Sequence, residues 1–191
     1  MNLFLSLEPL RLVLLFAHLI CCGFAITYVL HADLTIARAK FSRQWIARTA
    51  TVISRWLIAL WFTGLALIWI DTGFELPALI SKPKLLLKLL CVVVLTINGL
   101  FLHYLSFPVL VRSGPLGAGN SMLLAITGGL STSHWLIAAF VGVAKPLGQL
   151  PFDLLLKAYL VIVGATIVIA LASTPVVRHR VTGWRLKETF R

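Results

Sequence analysis

Five apolar runs, separated by short polar segments, dominate the pattern of the chain. Each run is long enough for one helical crossing of a bilayer, which needs roughly 20 predominantly apolar residues. The pattern therefore predicts an all-α, polytopic membrane bundle of five transmembrane helices. We expect a single transmembrane domain over residues 1–177, followed by a basic cytoplasmic tail over residues 178–191. The runs cover about residues 10–30, 51–70, 85–111, 122–143 and 154–174.

The edges of these runs carry residues typical of helix starts and turns. Pro9, Pro83 and Pro151 come just before three of the runs, where the missing N–H of proline breaks no helical hydrogen bond. The glycine-rich segment RSGPLGAGNS predicts a tight turn between the third and fourth helices. Because no basic residue precedes the first run, we expect a retained helix rather than a cleaved signal peptide.

Composition agrees with a membrane protein. The 191 residues are 60% hydrophobic and 12% charged, whereas a soluble domain is about 25% charged. The net charge of +11 is distributed between the apolar runs, which indicates membrane topology and contact with anionic lipid headgroups rather than with nucleic acid. The expected partners are the lipid bilayer and either further copies of the chain or a membrane partner subunit.

The distribution of Lys and Arg predicts the orientation. Most of the 17 basic residues fall in the first and third connections and in the C-terminal tail. By the positive-inside rule, the N-terminus is then outside and the C-terminus is cytoplasmic. The residues concerned are Arg38, Lys40, Arg43, Arg48, Arg55, Arg112, Arg178, Arg180, Arg185, Lys187 and Arg191.

The first connection, DLTIARAKFSRQWIARTA, admits two interpretations. Ile36, Phe41 and Trp45 fall close to one face of a helix and basic residues cover much of the rest, a pattern typical of an interfacial helix. The alternative is a solvated loop that continues the first helix or begins the second. The pattern alone does not separate the two.

Polar side chains interrupt the third run. Lys84, Lys88, Asn98 and His103 lie within it or at its edges, and a charge near the centre of a membrane helix costs roughly 2.5–3.5 kcal/mol. Such groups usually face the protein interior, so we expect this helix to line a site. Lys88 can bind a carboxylate such as a porphyrin propionate, or act in acid–base catalysis. Asn98 is interpreted as an interhelical hydrogen-bond donor.

Four histidines fall at two depths when a rise of about 1.5 Å per residue is counted along the helices. His18 and His134 share an outer level, and His31 and His103 share a level near the cytoplasmic face. Two histidines from different helices at one depth can supply the axial ligands of haem b. We therefore predict haem ligation by His18, His134, His31 and His103, in falling order of preference. The alternative is that these side chains are interfacial or join helices by hydrogen bonds.

Helical spacing refines this choice. Thr127, Ser131 and His134 share one face of the fourth helix, which we interpret as an interior face. His18 and His31 are rotated by about 220° around a straight first helix, so they do not share a face. A site with two haems between the same helices is therefore not favoured.

Other chemistry has little support in the sequence. Cys21, Cys22 and Cys91 lie inside apolar runs without metal-ligand spacing, so no disulfide or zinc framework is expected. The 2 methionines are too few for a copper path built from soft ligands. The chain also contains no phosphate loop, nucleophile elbow or His-Glu-x-x-His motif.

Three segments together resemble a superfamily of small bacterial membrane proteins: LLFAHLICCGF, ISRWLIALWFTGLALIW and KLLCVVVLTING. The superfamily includes the HemJ-type protoporphyrinogen oxidases and the membrane part of CopD-type copper-resistance proteins, and the similarity covers about the first 110 residues. It implies a bacterial plasma-membrane protein in which His18 is the functional helix-1 histidine and Lys88 the helix-3 lysine of a haem-binding oxidase. The sequence departs from the HemJ pattern at residues 21–24, CCGF, where a Trp-Gly signature is expected, and at Asn98, near a family histidine.

The resulting hypothesis is a membrane protein with an intramembrane haem or porphyrin site and a redox or porphyrin-related role. Two other classes remain open. One is a cofactor-free membrane subunit or scaffold, and the other is a small permease for a metal or another solute, which requires a continuous polar path. The sequence does not decide whether the protein is an enzyme.

Overall fold

A computed structural model describes residues 3–38 and 41–189, with side chains over residues 7–38 and 41–186. Within these ranges the chain is helical and contains no strand, which confirms the all-α class. Lys40, Arg191 and the side chain of Lys187, which contribute to the predicted orientation, lie outside the described residues. The orientation itself stays a prediction.

Five long helices make up most of the described part of the chain, and each is long and apolar enough to span a membrane. The third helix continues through a π-helical turn, Leu102–Ser106, and a last helical turn, Phe107–Val111. Two short elements, Leu76–Ile80 and the 3₁₀ turn Lys145–Gln149, occupy the second and fourth connections. The long helices are α1 (Leu3–Ala37), α2 (Arg43–Thr72), α3 (Pro83–Phe101), α4 (Ala118–Val143) and α5 (Phe152–Thr189).

Local sequence explains the ends of α2 and the start of α3. The Ser42 hydroxyl accepts a hydrogen bond from the Trp45 N–H, so it caps the first turn of α2. Gly73 ends the helix at φ +61°, a left-handed conformation that glycine adopts without steric strain. Pro83 begins α3, where its missing N–H would be unpaired in any residue. By contrast, Pro9 lies inside α1, because that helix already begins at Leu3.

The first connection is short because the neighbouring helices extend into it. α1 continues to Ala37 and α2 begins at Arg43, so no separate interfacial helix lies between them among the described residues. The segment therefore continues the first helix and begins the second, which is the alternative to a separate interfacial helix. The apolar residues of the segment contribute to a cluster: Phe41 is 7% exposed, and Ile36 and Trp45 pack beside it.

Consecutive long helices run antiparallel and form two groups that meet at α4. α1 packs along α2, and α4 packs against both α3 and α5, with a further contact to α1. One buried cluster joins the first four helices, and another joins the last three. The first consists of Ala25, Val29, Leu60, Leu95 and Trp135, and the second of Leu87, Cys91, Val141, Leu155 and Tyr159. We call the end at which α3 and α5 begin the N-terminal end, and the opposite end the C-terminal end.

The segment predicted as a basic tail is the last part of α5. The Trp184 indole N–H donates to the Phe41 carbonyl at 2.9 Å, and the two rings lie 4.2 Å apart between centroids. Arg178 donates to the Leu116 carbonyl at 3.1 Å, and Arg185 donates to the Gly114 carbonyl at 3.1 Å. α5 therefore extends beyond the predicted helix end and covers the first and third connections.

Large apolar side chains cover the outside of the bundle. Phe16, Phe62 and Val161 are 66%, 72% and 72% exposed. An apolar surface of this extent on a soluble protein would favour aggregation, whereas hydrocarbon contacts it without penalty. The exposed apolar surface and the five long helices are those of a helical membrane protein.

Candidate functional site

His18 is held in one orientation by α2. Its Nδ1 lies 2.8 Å from the Thr63 hydroxyl oxygen, and that hydroxyl donates its own hydrogen to the Ala59 carbonyl at 2.8 Å. With the single hydroxyl hydrogen directed to the Ala59 carbonyl, Nδ1 is the donor to Thr63. The neutral ring then carries its lone pair on Nε2, which has no hydrogen-bond partner among the described residues.

The backbone of α2 approaches the His18 ring at Gly64. A Cβ built on Gly64 would lie 3.5 Å from Cε1 of His18, which is ordinary van der Waals contact. The ring is therefore held by a hydrogen bond at Nδ1, and the space between the ring and the Gly64 backbone would admit one methyl group. His18 was predicted from the sequence and Thr63 was not, although the two fall opposite each other once α1 and α2 pair antiparallel.

Lys88 enters the same region from α3. Its ammonium group is close enough for its charge to act on His18 and Cys22 of α1 and to interact with Asp71 of α2. The side chain is half-buried, and no hydrogen bond or salt bridge to a described residue compensates its charge. The structure thus brings together the histidine and the lysine that the sequence singled out.

Three other cations at the N-terminal end have protein acceptors. The Nε atom of Arg11 lies 2.7 Å from Oδ1 of Asp71, and Lys82 donates to the backbone carbonyl of that aspartate at 2.8 Å. Lys84 donates to the Gly142 carbonyl at 3.3 Å. These contacts join helix ends. Lys88 has no such bond within the described chain and is half-buried, whereas Lys145, which also has none there, is exposed.

His134 lies in a different interface, between α4 and α5. It is fully buried, and its Nδ1 donates to the Leu130 carbonyl at 2.7 Å. Its Nε2 is 2.8 Å from the Tyr159 hydroxyl, which must donate because the ring hydrogen is on Nδ1. Both ring nitrogens of His134 are therefore engaged, with Leu130 of its own helix and with Tyr159 of α5. Tyr159 was not predicted from the sequence. The feature that could have identified it is that it is the one tyrosine in the fifth apolar run.

Asn98, Ser106 and Thr127 form a buried polar cluster between α3 and α4. The Asn98 side-chain amide donates to the Thr127 carbonyl at 2.9 Å. The hydroxyls of Ser106 and Thr127 lie 2.9 Å apart, and Thr127 donates to the Leu123 carbonyl, so Ser106 is the donor of that pair. The π-helical turn ends two residues before Pro108, which lacks the N–H that a regular helix needs. Ser131, the third polar residue predicted on this face, is half-buried.

His31 and His103 are exposed and have separate aromatic neighbours. His31 meets Trp45 edge-on, with ring centroids 6.1 Å apart. His103 lies in the π-helical turn beside Tyr104, with centroids 5.2 Å apart. The structure therefore places these two side chains at the surface of the bundle rather than in its interior.

Asp33 is a half-buried carboxylate near the end of α1 that was not among the residues predicted from the sequence. It accepts a hydrogen bond from Thr132 of α4, which also lies 3.2 Å from the Gly128 carbonyl. The feature that could have identified it is its position, because an acidic residue only three positions beyond the first apolar run is close enough to continue the first helix. Within the described part of the chain, no three His, Cys, Asp or Glu side chains come together as a metal site.

The fold and its apolar exterior define a polytopic helical membrane protein. No protein-family model, no curated protein and no solved structure matches the chain. The resemblance to the HemJ-type superfamily therefore stays a prediction.

Proposed function

We propose that the chain is an integral protein of a bacterial plasma membrane, with its N-terminal end outside, that binds haem or a related metalloporphyrin for a redox or porphyrin-related role. The observation that carries this proposal is the proximity of His18 and Lys88. One offers a lone pair on a fixed imidazole, and the other offers a half-buried positive charge without a hydrogen-bond partner among the described residues.

His18 is the residue that would bind the metal. Metal-binding histidines usually donate their second ring N–H to a nearby acceptor, which fixes the tautomer and the ring orientation. Thr63 provides that acceptor, and Nε2 is the nitrogen left for a ligand. Haem supplies one-electron redox chemistry when it is bound.

Lys88 would hold a carboxylate of the ligand. An ammonium group within a membrane helix is expensive unless it is paired. A porphyrin propionate would supply the missing negative charge, and the distance from Asp71 to the Lys88 ammonium is too long for a salt bridge. This role explains why the chain retains a lysine at a half-buried position.

His134 is not part of the proposed site. Its lone pair on Nε2 accepts from Tyr159, so binding iron would require that buried hydrogen bond to break. The proposal therefore assigns one histidine ligand, His18. His31 and His103 are at the surface and are not assigned a role.

The first experiment is a haem titration of the purified protein in detergent, followed by its Soret absorbance. We expect a Soret band that is lost in His18→Ala and kept in His31→Ala, which removes an exposed histidine of the same helix. A wild-type protein that binds no haem, or a His18→Ala variant that binds it normally, would contradict the proposal.

A second titration separates the role of Lys88 from that of His18. Lys88→Met should weaken binding of haem but leave binding of haem dimethyl ester unchanged, because the ester has no propionate charge. Lys84→Met is the matched control, since Lys84 already donates to a backbone carbonyl. An equal loss of affinity for haem and for haem dimethyl ester would show that Lys88 supports the fold of the site and does not bind a propionate.

A second candidate function is a cofactor-free membrane subunit or scaffold. Its support is the set of polar contacts that join helices: His134 with Tyr159, Asn98 with Thr127, and Thr132 with Asp33. In that case His18→Ala lowers the free energy of unfolding, and the protein stays colourless after haem addition.

A further inference from the structure

A groove runs along α5 at the C-terminal end of the bundle, away from His18 and Lys88. It has a volume of about 680 Å³ and is open on one side. Leu171, Pro175 and Arg178 follow each other at helical spacing on one face of α5 and form one wall. Ala118 and Ser121, from the first turn of α4, border the other side.

The groove has an apolar part and a cationic part. Leu171 belongs to the predicted fifth apolar run and is 43% exposed. Arg178 lies two helical turns further along, which corresponds to about 10 Å, and His179 is beside it. No carboxylate lines the groove among the described residues. The polarity therefore changes from apolar to basic along the helix axis, toward the C-terminal end.

Arg178 is fixed at the basic part of the groove. Its Nε donates to the Leu116 carbonyl at 3.1 Å, so the direction of the guanidinium group is set by the third connection. Its two Nη groups have no hydrogen-bond partner among the described residues, and the residue as a whole is exposed. A planar guanidinium with free N–H groups is suited to bind phosphate oxygens.

We propose that this groove binds one anionic glycerophospholipid from the leaflet at the C-terminal end. The lipid phosphate contacts Arg178 and His179, and an acyl chain lies along Leu171 and Pro175. The positive charge of the groove favours an anionic over a zwitterionic headgroup. The groove runs from Arg178 to Leu171 along the helix axis, which is the direction in which a lipid extends from its headgroup to its acyl chains. This inference is independent of the proposed haem site.

The test is native mass spectrometry of the full chain in detergent, with phosphatidylglycerol or phosphatidylcholine of the same acyl chains added. We expect one phosphatidylglycerol molecule to be retained in preference to phosphatidylcholine. Arg178→Gln combined with His179→Gln should weaken that retention by about fivefold, the contribution of one Arg near the membrane surface. The matched control combines Arg43→Gln with Arg48→Gln, two exposed residues of α2 outside the groove.

A second variant fills the groove without removing charge. Gly183 lines the groove, and a Cβ added to it would meet no atom within 4 Å. Gly183→Phe should therefore fold normally and abolish the preference. Its control is Gly164→Phe, at an equally open position of α5 outside the groove.

Three results would overturn the proposal. One is equal retention of the two lipids by the wild-type protein. Another is a preference that survives both Gly183→Phe and the double variant at Arg178 and His179. The third is an equal loss in the control variants, which would show a general effect of charge or of bulk.

Discussion

The Tyr159 hydroxyl donates a hydrogen bond to Nε2 of His134 over 2.8 Å, across the interface between α4 and α5. The histidine is fully buried and the tyrosine is 6% exposed, so water does not replace either partner. The same ring donates from Nδ1 to the carbonyl one turn earlier in its own helix. This arrangement makes His134 a fully satisfied link between two helices, although its sequence position also suited a haem ligand.

Tyr159→Phe should destabilise the bundle without changing haem binding. The variant keeps the ring and removes only the donor, so the lone pair of His134 is left buried and unpaired. An unsatisfied buried acceptor costs about 1–3 kcal/mol. The free energy of unfolding in detergent measures this loss, and Tyr28→Phe, at a residue 39% exposed, is the control. A loss of the Soret band in Tyr159→Phe would instead indicate that His134 takes part in haem binding.

The helices were predictable because an apolar run of bilayer length has few alternatives to a helix. The number of long helices was therefore correct. The predicted helix ends were not all correct, since residues 178–186 continue α5. Trp184 and Arg185 donate hydrogen bonds to distant backbone carbonyls, and these contacts stabilise a helical segment whose own sequence is polar. Basic composition alone does not distinguish a solvated tail from such a packed segment.

The candidate site was predictable only in part. Residue types identified His18 and Lys88, because polar groups inside apolar runs are few. Their partners depend on which helices are neighbours and on rotation about each helix axis, and neither can be read from spacing within one helix. Thr63, Tyr159 and Asp33 became visible only after α1 was paired with α2 and α4 was placed against α1 and α5.

Thr63→Val tests whether the hydrogen bond to His18 serves a metal ligand. Valine has nearly the same shape, so the variant removes the acceptor of Nδ1–H while packing is retained. Loss of such a supporting partner typically lowers metal affinity by about 10–100-fold. Haem titration measures the change. Thr51→Val is a matched control, because Thr51 makes the same kind of bond to a carbonyl one turn earlier but contacts no histidine. Wild-type haem affinity in Thr63→Val would argue against His18 as the ligand.

Asn98→Leu should have a small effect on stability. It removes one interhelical hydrogen bond to the Thr127 carbonyl and leaves the bond between Ser106 and Thr127 in place. Interhelical hydrogen bonds in membrane proteins contribute about 0.6 kcal/mol on average. The free energy of unfolding of Asn98→Leu should fall by about that amount, whereas Ile97→Ala, at a residue 49% exposed, should leave it unchanged. A loss of several kcal/mol would show that Asn98 supports more than this contact.

Trp184→Ala should release the last part of α5 from the bundle. The indole is 5% exposed, packs on Phe41 and donates to its carbonyl, and truncating a buried Trp costs about 3–5 kcal/mol. Because Trp184 packs at the C-terminal end of the bundle and outside its two other buried clusters, we expect local opening rather than loss of the five-helix bundle. Limited trypsin digestion should then cleave after Arg178, Arg180 and Arg185, which donate to backbone carbonyls in the intact protein. Leu186→Ala, at a residue 49% exposed, should remain as resistant as the wild type. Equal resistance of Trp184→Ala would mean that the arginine contacts alone hold the segment in place.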